Sequence, residues 1–170
     1  RIGAQMHGGA QQRGLRAGTQ DIAGAAAFAV AAELAAIERD TEAARLGALR
    51  DRLVERACAV VPGVELLGDP VLRLPGNAHL LVPGALGETL LFLLDTRGIA
   101  VSTGSACQAG IPEPSHVVRA LGRDEDAARS VLRITLGRTT TSDDVDAFLE
   151  ALPWAVERAR AAGARTASPS

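Results

Sequence analysis

The sequence has no lysine: the 18 residues counted as lysine or arginine among its 170 are all arginine. A Schiff base to a carbonyl compound requires an amine, which a lysine side chain supplies in proteins. No side chain of this chain can therefore carry out Schiff-base chemistry.

Cysteine is also scarce. The two cysteines, Cys58 and Cys107, lie in different contexts, one on a helical stripe and one in a loop of small residues. This usage does not favour a structural disulfide and predicts a reducing, cytoplasmic location. Cys58, on the apolar stripe, is predicted to be a small core residue.

Long apolar runs and an excess of charge are absent as well. The longest apolar stretches, residues 23–32 and 86–94, are too short or too interrupted for a bilayer, which needs about 20 residues. The formal net charge is −2 and the arginines are spread along the chain, so the sequence predicts no nucleic-acid or membrane surface. Small polar ligands and proteins remain as partners. The first residue, Arg1, indicates a piece of a longer protein.

Hydrophobic residues make up 47% of the sequence, enough for one globular α/β domain with a sheet covered by helices. Helical periodicity covers residues 20–61 and favours two helices that meet near residues 39–41. A final helix begins at Ser142, and Pro153 is expected to kink or divide it. Strands are predicted at 1–6, 64–67, 78–82, 99–101 and 131–136, and shorter helices at 87–97, 115–121 and 124–128.

Cys107 lies in a loop, residues 102–110, with the sequence STGSACQAG. Such small side chains cannot bury the loop, so Cys107 is expected to be exposed and mobile. A reactive cysteine needs an accessible thiolate, and this loop provides access without revealing what would ionise the thiol. An incidental cysteine in a small-residue loop is the alternative interpretation.

Two further segments carry candidate binding groups. Residues 7–19 combine four glycines with two arginines and Thr19, which suits an anion site, although a surface turn with solvated arginines fits equally. Arg133 interrupts an alternating strand, where it could hold a carboxylate with two hydrogen bonds or simply face solvent. Arg138 is interpreted as structural. The three histidines, His7, His79 and His116, share no ligand spacing, so no metal site is predicted.

Taken together, these motifs resemble the cysteine desulfurases of the iron-sulfur assembly type, within the class V aminotransferase group of fold-type I pyridoxal-phosphate enzymes. Residues 1–9 and 13–19 are similar to the segment that follows the cofactor lysine in that family. Residues 102–107 are similar to its sulfur-carrying loop, in the long-loop form. Residues 112–117 and 132–138 continue in the same order. The departures are Ala10, Gln12, Ala17 and Thr103.

The resemblance implies a domain organisation and a set of roles. Residues 1–19 would end the large-domain region, residues 20–162 would form the C-terminal small domain with its long connecting helix, and residues 163–170 would be a disordered tail. Cys107 would take sulfur from L-cysteine as a persulfide and leave L-alanine, Arg133 would bind the substrate carboxylate, and Thr19 would contact the phosphate of pyridoxal 5'-phosphate in the neighbouring subunit of a homodimer. An iron-sulfur scaffold or another sulfur-acceptor protein would be the partner. This chain alone, which lacks the cofactor lysine, would be catalytically silent.

Two alternatives remain at this level. The chain could be a binding or dimerisation module without turnover, or part of a related lyase acting on selenocysteine or cysteine sulfinate.

Overall fold

The computed structural model describes residues 3–104 and 114–166, and it divides into two compact units, Arg1–Asp40 and Thr41–Ser170. A short helical turn at Gln11–Gly14, in which Gln12 and Arg13 depart from helical backbone angles, comes first. The helices are α1 (Ile22–Val60), α2 (Gly87–Asp95), α3 (His116–Ala120), α4 (Glu125–Arg129) and α5 (Ser142–Thr166), and the strands are β1 (Glu65–Leu66), β2 (Asn77–Leu81) and β3 (Val131–Thr135).

Helix α1 is one continuous helix of 39 residues, so the prediction of two helices was wrong. The segment around residues 39–41 contains neither proline nor glycine, and the neighbouring alanine, glutamate and arginine residues favour helix. Thr41 therefore continues the helix instead of capping a new one. The helix ends at Val60, just before Pro62 and Gly63, as the sequence predicts.

The first half of α1 is apolar on more than one side. Its large apolar side chains are exposed, Phe28 by 76% of its surface. A helix that is apolar all round is typical of one packed by protein on several sides. No helix in the described part of the chain is long and apolar enough to cross a membrane. The exposed set comprises Ile22, Phe28, Val30, Leu34 and Ile37.

The three strands form one antiparallel sheet in the order β1-β2-β3. Two predicted strands are absent from the described residues. Met6 makes only an isolated bridge with Arg16, and the segment after α2 makes only one with Arg133, through Ser102. A strand needs a partner along its length, and each of these segments has one paired residue.

One face of the sheet packs against α1, α2 and α5 to form the main core. Ala78 and Leu80 of β2 lie opposite Ile134 and Leu132 of β3, and all four side chains are buried. Because side chains alternate along a strand, the same register directs the intervening residues to the other face. The helices contribute Leu53, Ala57, Leu90, Leu94, Val145, Phe148, Leu149, Leu152 and Val156.

Helices α3 and α4 cover only part of that other face. Val118 of α3 and Ala128 of α4 pack with Leu81 and Val131, the last pair of the β2-β3 ladder. The next pair along the same face is His79 and Arg133, of which His79 is half-buried and Arg133 exposed. The face is thus closed at one end and accessible beside Arg133.

Both short helices begin where the sequence predicts. The Ser115 hydroxyl accepts a hydrogen bond from Val118 N at 3.4 Å, and Asp124 Oδ1 accepts one from Ala127 N at 2.8 Å. Each side chain satisfies a backbone N–H that has no partner within the helix.

Replacement of Asp124 by alanine is expected to destabilise the chain by about 1 kcal/mol, because the N-cap hydrogen bond of α4 is lost. Urea denaturation followed by circular dichroism measures the change. Asp126→Ala, on the same helix but without the capping bond, is the matched control and should cost less. Equal losses in the two variants would contradict the capping role.

Helix α5 is undivided, although Pro153 lies within it. Buried neighbours on both sides of the proline, including Leu152 and Val156, hold the helix together despite the lost backbone hydrogen bond. The helix continues to Thr166, so the first four residues of the predicted tail are helical. Alanine at positions 161, 162 and 164 favours this extension. The rest of the predicted tail, residues 167–170, lies outside the described residues.

Candidate functional site

Arg133 lies at the centre of β3 with an exposed side chain between buried neighbours, as the alternating pattern predicts. Its backbone pairs with Ser102: Arg133 N donates to Ser102 O at 2.7 Å, and Ser102 N donates to Arg133 O at 3.0 Å. Its Nη2 also donates to the Ser102 hydroxyl at 3.2 Å. The candidate carboxylate-binding residue is therefore held against the first residue of the cysteine-containing loop.

The chain is tightly packed at Gly104, near the start of that loop. A Cβ atom at Gly104 would lie 2.9 Å from both Ser115 Oγ and Val131 Cγ2. Any larger residue at this position would have to displace both Ser115, the N-cap of α3, and Val131 of β3. Glycine at position 104 thus permits the chain to leave the sheet close to Arg133.

The guanidinium of Arg133 has no carboxylate partner among the described residues. Other arginines of the same unit do: Arg52 and Arg56 both bind Asp146, at 2.7 and 2.8 Å. Arg123 likewise binds Glu65 at 3.0 Å. Arg133 instead contacts a neutral hydroxyl, which leaves most of its five N–H donors available to an anion.

His79 lies opposite Arg133 and Arg73 lies near His79, and the sequence pattern marked neither as a site residue. Burial lowers the pKa of His79, and the nearby Arg133 and Arg73 lower it further. Arg73 Nη2 donates to Leu67 O at 2.6 Å, while its Nε and Nη1 are buried without a partner in the described structure. The strand alternation places His79 on a sheet face, but only the register brings it opposite Arg133.

The turn of residues 7–19 belongs to the other unit, Arg1–Asp40. Arg16 Nη1 donates to Gly18 O at 3.2 Å and to Thr19 O at 2.9 Å. A Cβ at Gly8 would lie 3.0 Å from the Ala17 side chain, so the two sides of the turn approach closely. Arg16 therefore stabilises the turn through hydrogen bonds to the backbone of the turn itself. The Thr19 hydroxyl is exposed and has no hydrogen-bond partner in the described part of the chain.

The same turn also contains backbone strain, which the sequence pattern does not predict. Gln12 and Arg13 have φ values of 50° and 58°, in the left-handed region that residues with a Cβ atom usually avoid. Each such residue costs about 1–2 kcal/mol. Strain of this kind clusters at functional sites, which is consistent with a binding role for the turn.

The structure gives different outcomes for the remaining cysteine and histidine residues. Cys107 lies outside the described residues. Cys58 is exposed, so its assignment to the core was wrong: it projects from the helix beside the buried Ala57 instead of replacing it on the core face. His7 and His116 are exposed. Within residues 3–104 and 114–166, no group of three potential metal ligands is found.

Comparison with known proteins places this geometry in a family. The aminotransferase class V model matches residues 4–148. The chain is 51% identical over 166 residues to an IscS-like cysteine desulfurase of Mycobacterium tuberculosis, and the match covers 97% of this chain and 42% of the relative. It is 41% identical over 155 residues to the cysteine desulfurase NifS of Azotobacter vinelandii, with coverage of 91% and 39%.

A solved structure shows the same fold. The X-ray structure of a NifS-like protein from Rickettsia africae superimposes with a TM-score of 0.77 at 28% identity, over 92% of this chain and 41% of that chain. The predicted α/β fold class, with one short sheet and a long helix near the N-terminus, is confirmed. The chain spans about two fifths of the length of the relatives that it matches. The family resemblance predicted from the motifs is confirmed too: this chain belongs to the aminotransferase class V family.

Proposed function

We propose that the protein to which this chain belongs is a pyridoxal-phosphate-dependent cysteine desulfurase. In the overall reaction the carbon-sulfur bond of L-cysteine breaks, L-alanine leaves, and the sulfur joins the Cys107 thiolate as a persulfide. The class V family match and the cysteine desulfurase names of the relatives support this proposal. The persulfide is passed to an iron-sulfur scaffold or another sulfur-acceptor protein.

One observation carries the proposal: Arg133 and Ser102 are paired through two backbone hydrogen bonds, and the sulfur-carrying loop begins at Ser102. Within the described residues the Arg133 guanidinium donates to the Ser102 hydroxyl alone, so most of its donors remain for the substrate carboxylate. Cys107 is five residues beyond Ser102, and five residues of extended chain reach roughly 17 Å at most. Cys107 can therefore lie no farther than this from Ser102, the residue that pairs with Arg133.

The residues present fit part of a pyridoxal-phosphate site. The exposed Thr19 hydroxyl, in a turn that glycine and Arg16 hold compact, is suited to donate a hydrogen bond to a phosphate oxygen. When bound, the cofactor supplies the electron sink that weakens the carbon-sulfur bond. No side chain here can link to it covalently, because the chain has no lysine.

The complete protein acts as a homodimer in the cytoplasm, with Thr19 of one subunit contributing to the site of the other. It binds neither nucleic acid nor membrane. The 170-residue chain by itself is catalytically silent, because it has no lysine to link the cofactor covalently. Arg133 binds the substrate carboxylate, Thr19 positions the cofactor phosphate, and Cys107 accepts the sulfur.

The test is product analysis with the complete, cofactor-loaded protein. L-cysteine should yield alanine and protein-bound sulfur in equal amounts in a single turnover without reductant, as measured by amino-acid analysis and intact mass. A protein that binds cysteine but forms no alanine would be a binding module instead. Competition with selenocysteine and cysteine sulfinate identifies a related lyase if either is strongly preferred.

A further inference from the structure

His79 lies directly opposite Arg133 in the β2-β3 ladder. At the two ends of the ladder, Leu136 N donates to Gly76 O at 2.7 Å and Val82 N donates to Ser130 O at 2.8 Å. Hydrogen-bonded pairs alternate with non-bonded pairs in antiparallel sheets, so His79 and Arg133 form a non-bonded pair. In such pairs the side chains are closest together and share one face.

The two nitrogens of the His79 ring have different surroundings. Nε2 is buried and has no hydrogen-bond partner among the described residues. Nδ1 is not among the buried unpartnered atoms and makes no hydrogen bond within residues 3–104 and 114–166, so it faces accessible space. The imidazole therefore has a buried Nε2 edge and a partly accessible Nδ1 edge.

The charged groups that act on the ring are both cationic. Arg73 and Arg133 disfavour a protonated His79, in addition to burial. Arg73 has buried donors without acceptors, at Nε and Nη1. The carboxylate of Asp69 already accepts two hydrogen bonds within its own turn, from Val71 N and Leu72 N, each at 2.7 Å. The ring is therefore neutral, with one nitrogen protonated.

The surroundings also decide which nitrogen carries the proton. A proton on Nε2 would be a buried donor without an acceptor in the described structure, whereas a lone pair there is favoured by the positive charges of Arg73 and Arg133. The favoured tautomer has the lone pair on the enclosed Nε2 and the proton on Nδ1. An N–H donor then points into the accessible space beside Arg133.

We propose that His79 is a specificity-determining residue whose Nδ1–H donates, beside the guanidinium of Arg133, to the carboxylate that Arg133 binds. The inference rests on the proposed function, in which that carboxylate belongs to the amino-acid substrate. A neutral donor adds a hydrogen bond without placing a second cation opposite Arg133. A carboxamide binds more weakly at this site because its NH₂ group cannot accept a hydrogen bond from Arg133 or His79.

The test uses the complete, cofactor-loaded protein with ¹⁵N-labelled histidine, and sodium propionate as the carboxylate probe. Long-range ¹H–¹⁵N spectra at pH 7.5 should show the His79 proton on Nδ1, and propionate, but not propionamide, should shift that resonance. His79→Leu should weaken propionate binding about tenfold, as expected for one hydrogen bond to a charged group. His79→Asn keeps an N–H near the Nδ1 position and should restore most of the affinity. His116→Asn, an exposed histidine on α3, is the matched control.

The outcomes separate the two proposals. A proton on Nε2, or propionate binding that depends on Arg133 but is unchanged in His79→Leu, would overturn the role of His79 alone. If propionate does not bind, or binds equally well to Arg133→Gln, the carboxylate site itself is absent and the role of Arg133 in the proposed function fails as well. The tautomer measurement on the unaltered chain gives a result even if the leucine variant does not fold.

Discussion

Replacement of Cys107 by alanine in the complete protein is expected to abolish persulfide formation. The sulfur atom needs a thiolate acceptor, and alanine has no group that can form the sulfur-sulfur bond. Incubation with L-cysteine followed by intact-mass analysis should show a gain of one sulfur atom in the unaltered protein and no gain in the variant. Cofactor absorbance should be unchanged, because Cys107 does not hold the cofactor in the proposed mechanism.

Cys58 provides a matched control within the same chain. It is exposed like a reactive cysteine, but partial burial of its thiol and the nearby Glu65 raise its pKa, so less thiolate is present at neutral pH. Cys58→Ala should therefore gain sulfur as the unaltered protein does. Sulfur retained in Cys107→Ala and lost in Cys58→Ala would contradict the assignment of the acceptor.

Replacement of Arg133 by glutamine is expected to raise KM for L-cysteine roughly 100-fold, equivalent to about 2.7 kcal/mol, with a smaller change in kcat. The guanidinium binds the carboxylate in the ground state and the transition state alike, so its loss weakens binding more than turnover. Steady-state kinetics of alanine formation measure both constants.

Two further variants distinguish binding from folding at this position. Arg133→Lys keeps the charge but loses the planar pair of donors, so it should recover only part of the affinity. Arg119→Gln removes an exposed arginine from α3 and should leave KM unchanged. An unaltered KM in Arg133→Gln would instead mean that Arg133 serves only to pair β3 with Ser102.

Local signals predicted much of the secondary structure correctly. Ser115 and Asp124 cap their helices because a short polar side chain at that position satisfies a free backbone N–H whatever surrounds it. The alternation around Arg133 correctly predicted a strand with that side chain exposed. These features depend on interactions between residues only a few positions apart.

The errors share a different cause. Residues 1–6 and 99–101 look like strands locally, but in the described part of the chain the first range has one paired residue, Met6, and the second has none, because the bridge falls on Ser102. Cys58 fits the helical spacing of apolar residues in α1, but it lies outside the buried face of the helix, which Leu53 and Ala57 form. Whether such a segment pairs, or such a side chain is buried, depends on partners that the local pattern does not reveal.

The sequence by itself determined that no side chain of this chain can form a Schiff base, because lysine is absent, and the order of its motifs indicated the family. Only the tertiary structure decided what surrounds Arg133. It placed Ser102, 31 residues earlier in the chain, within hydrogen-bonding distance of Arg133, and His79 directly opposite it. Strand register is set by packing of the whole buried face of the sheet, not by any one residue, and for that reason these neighbours appear only in the folded chain.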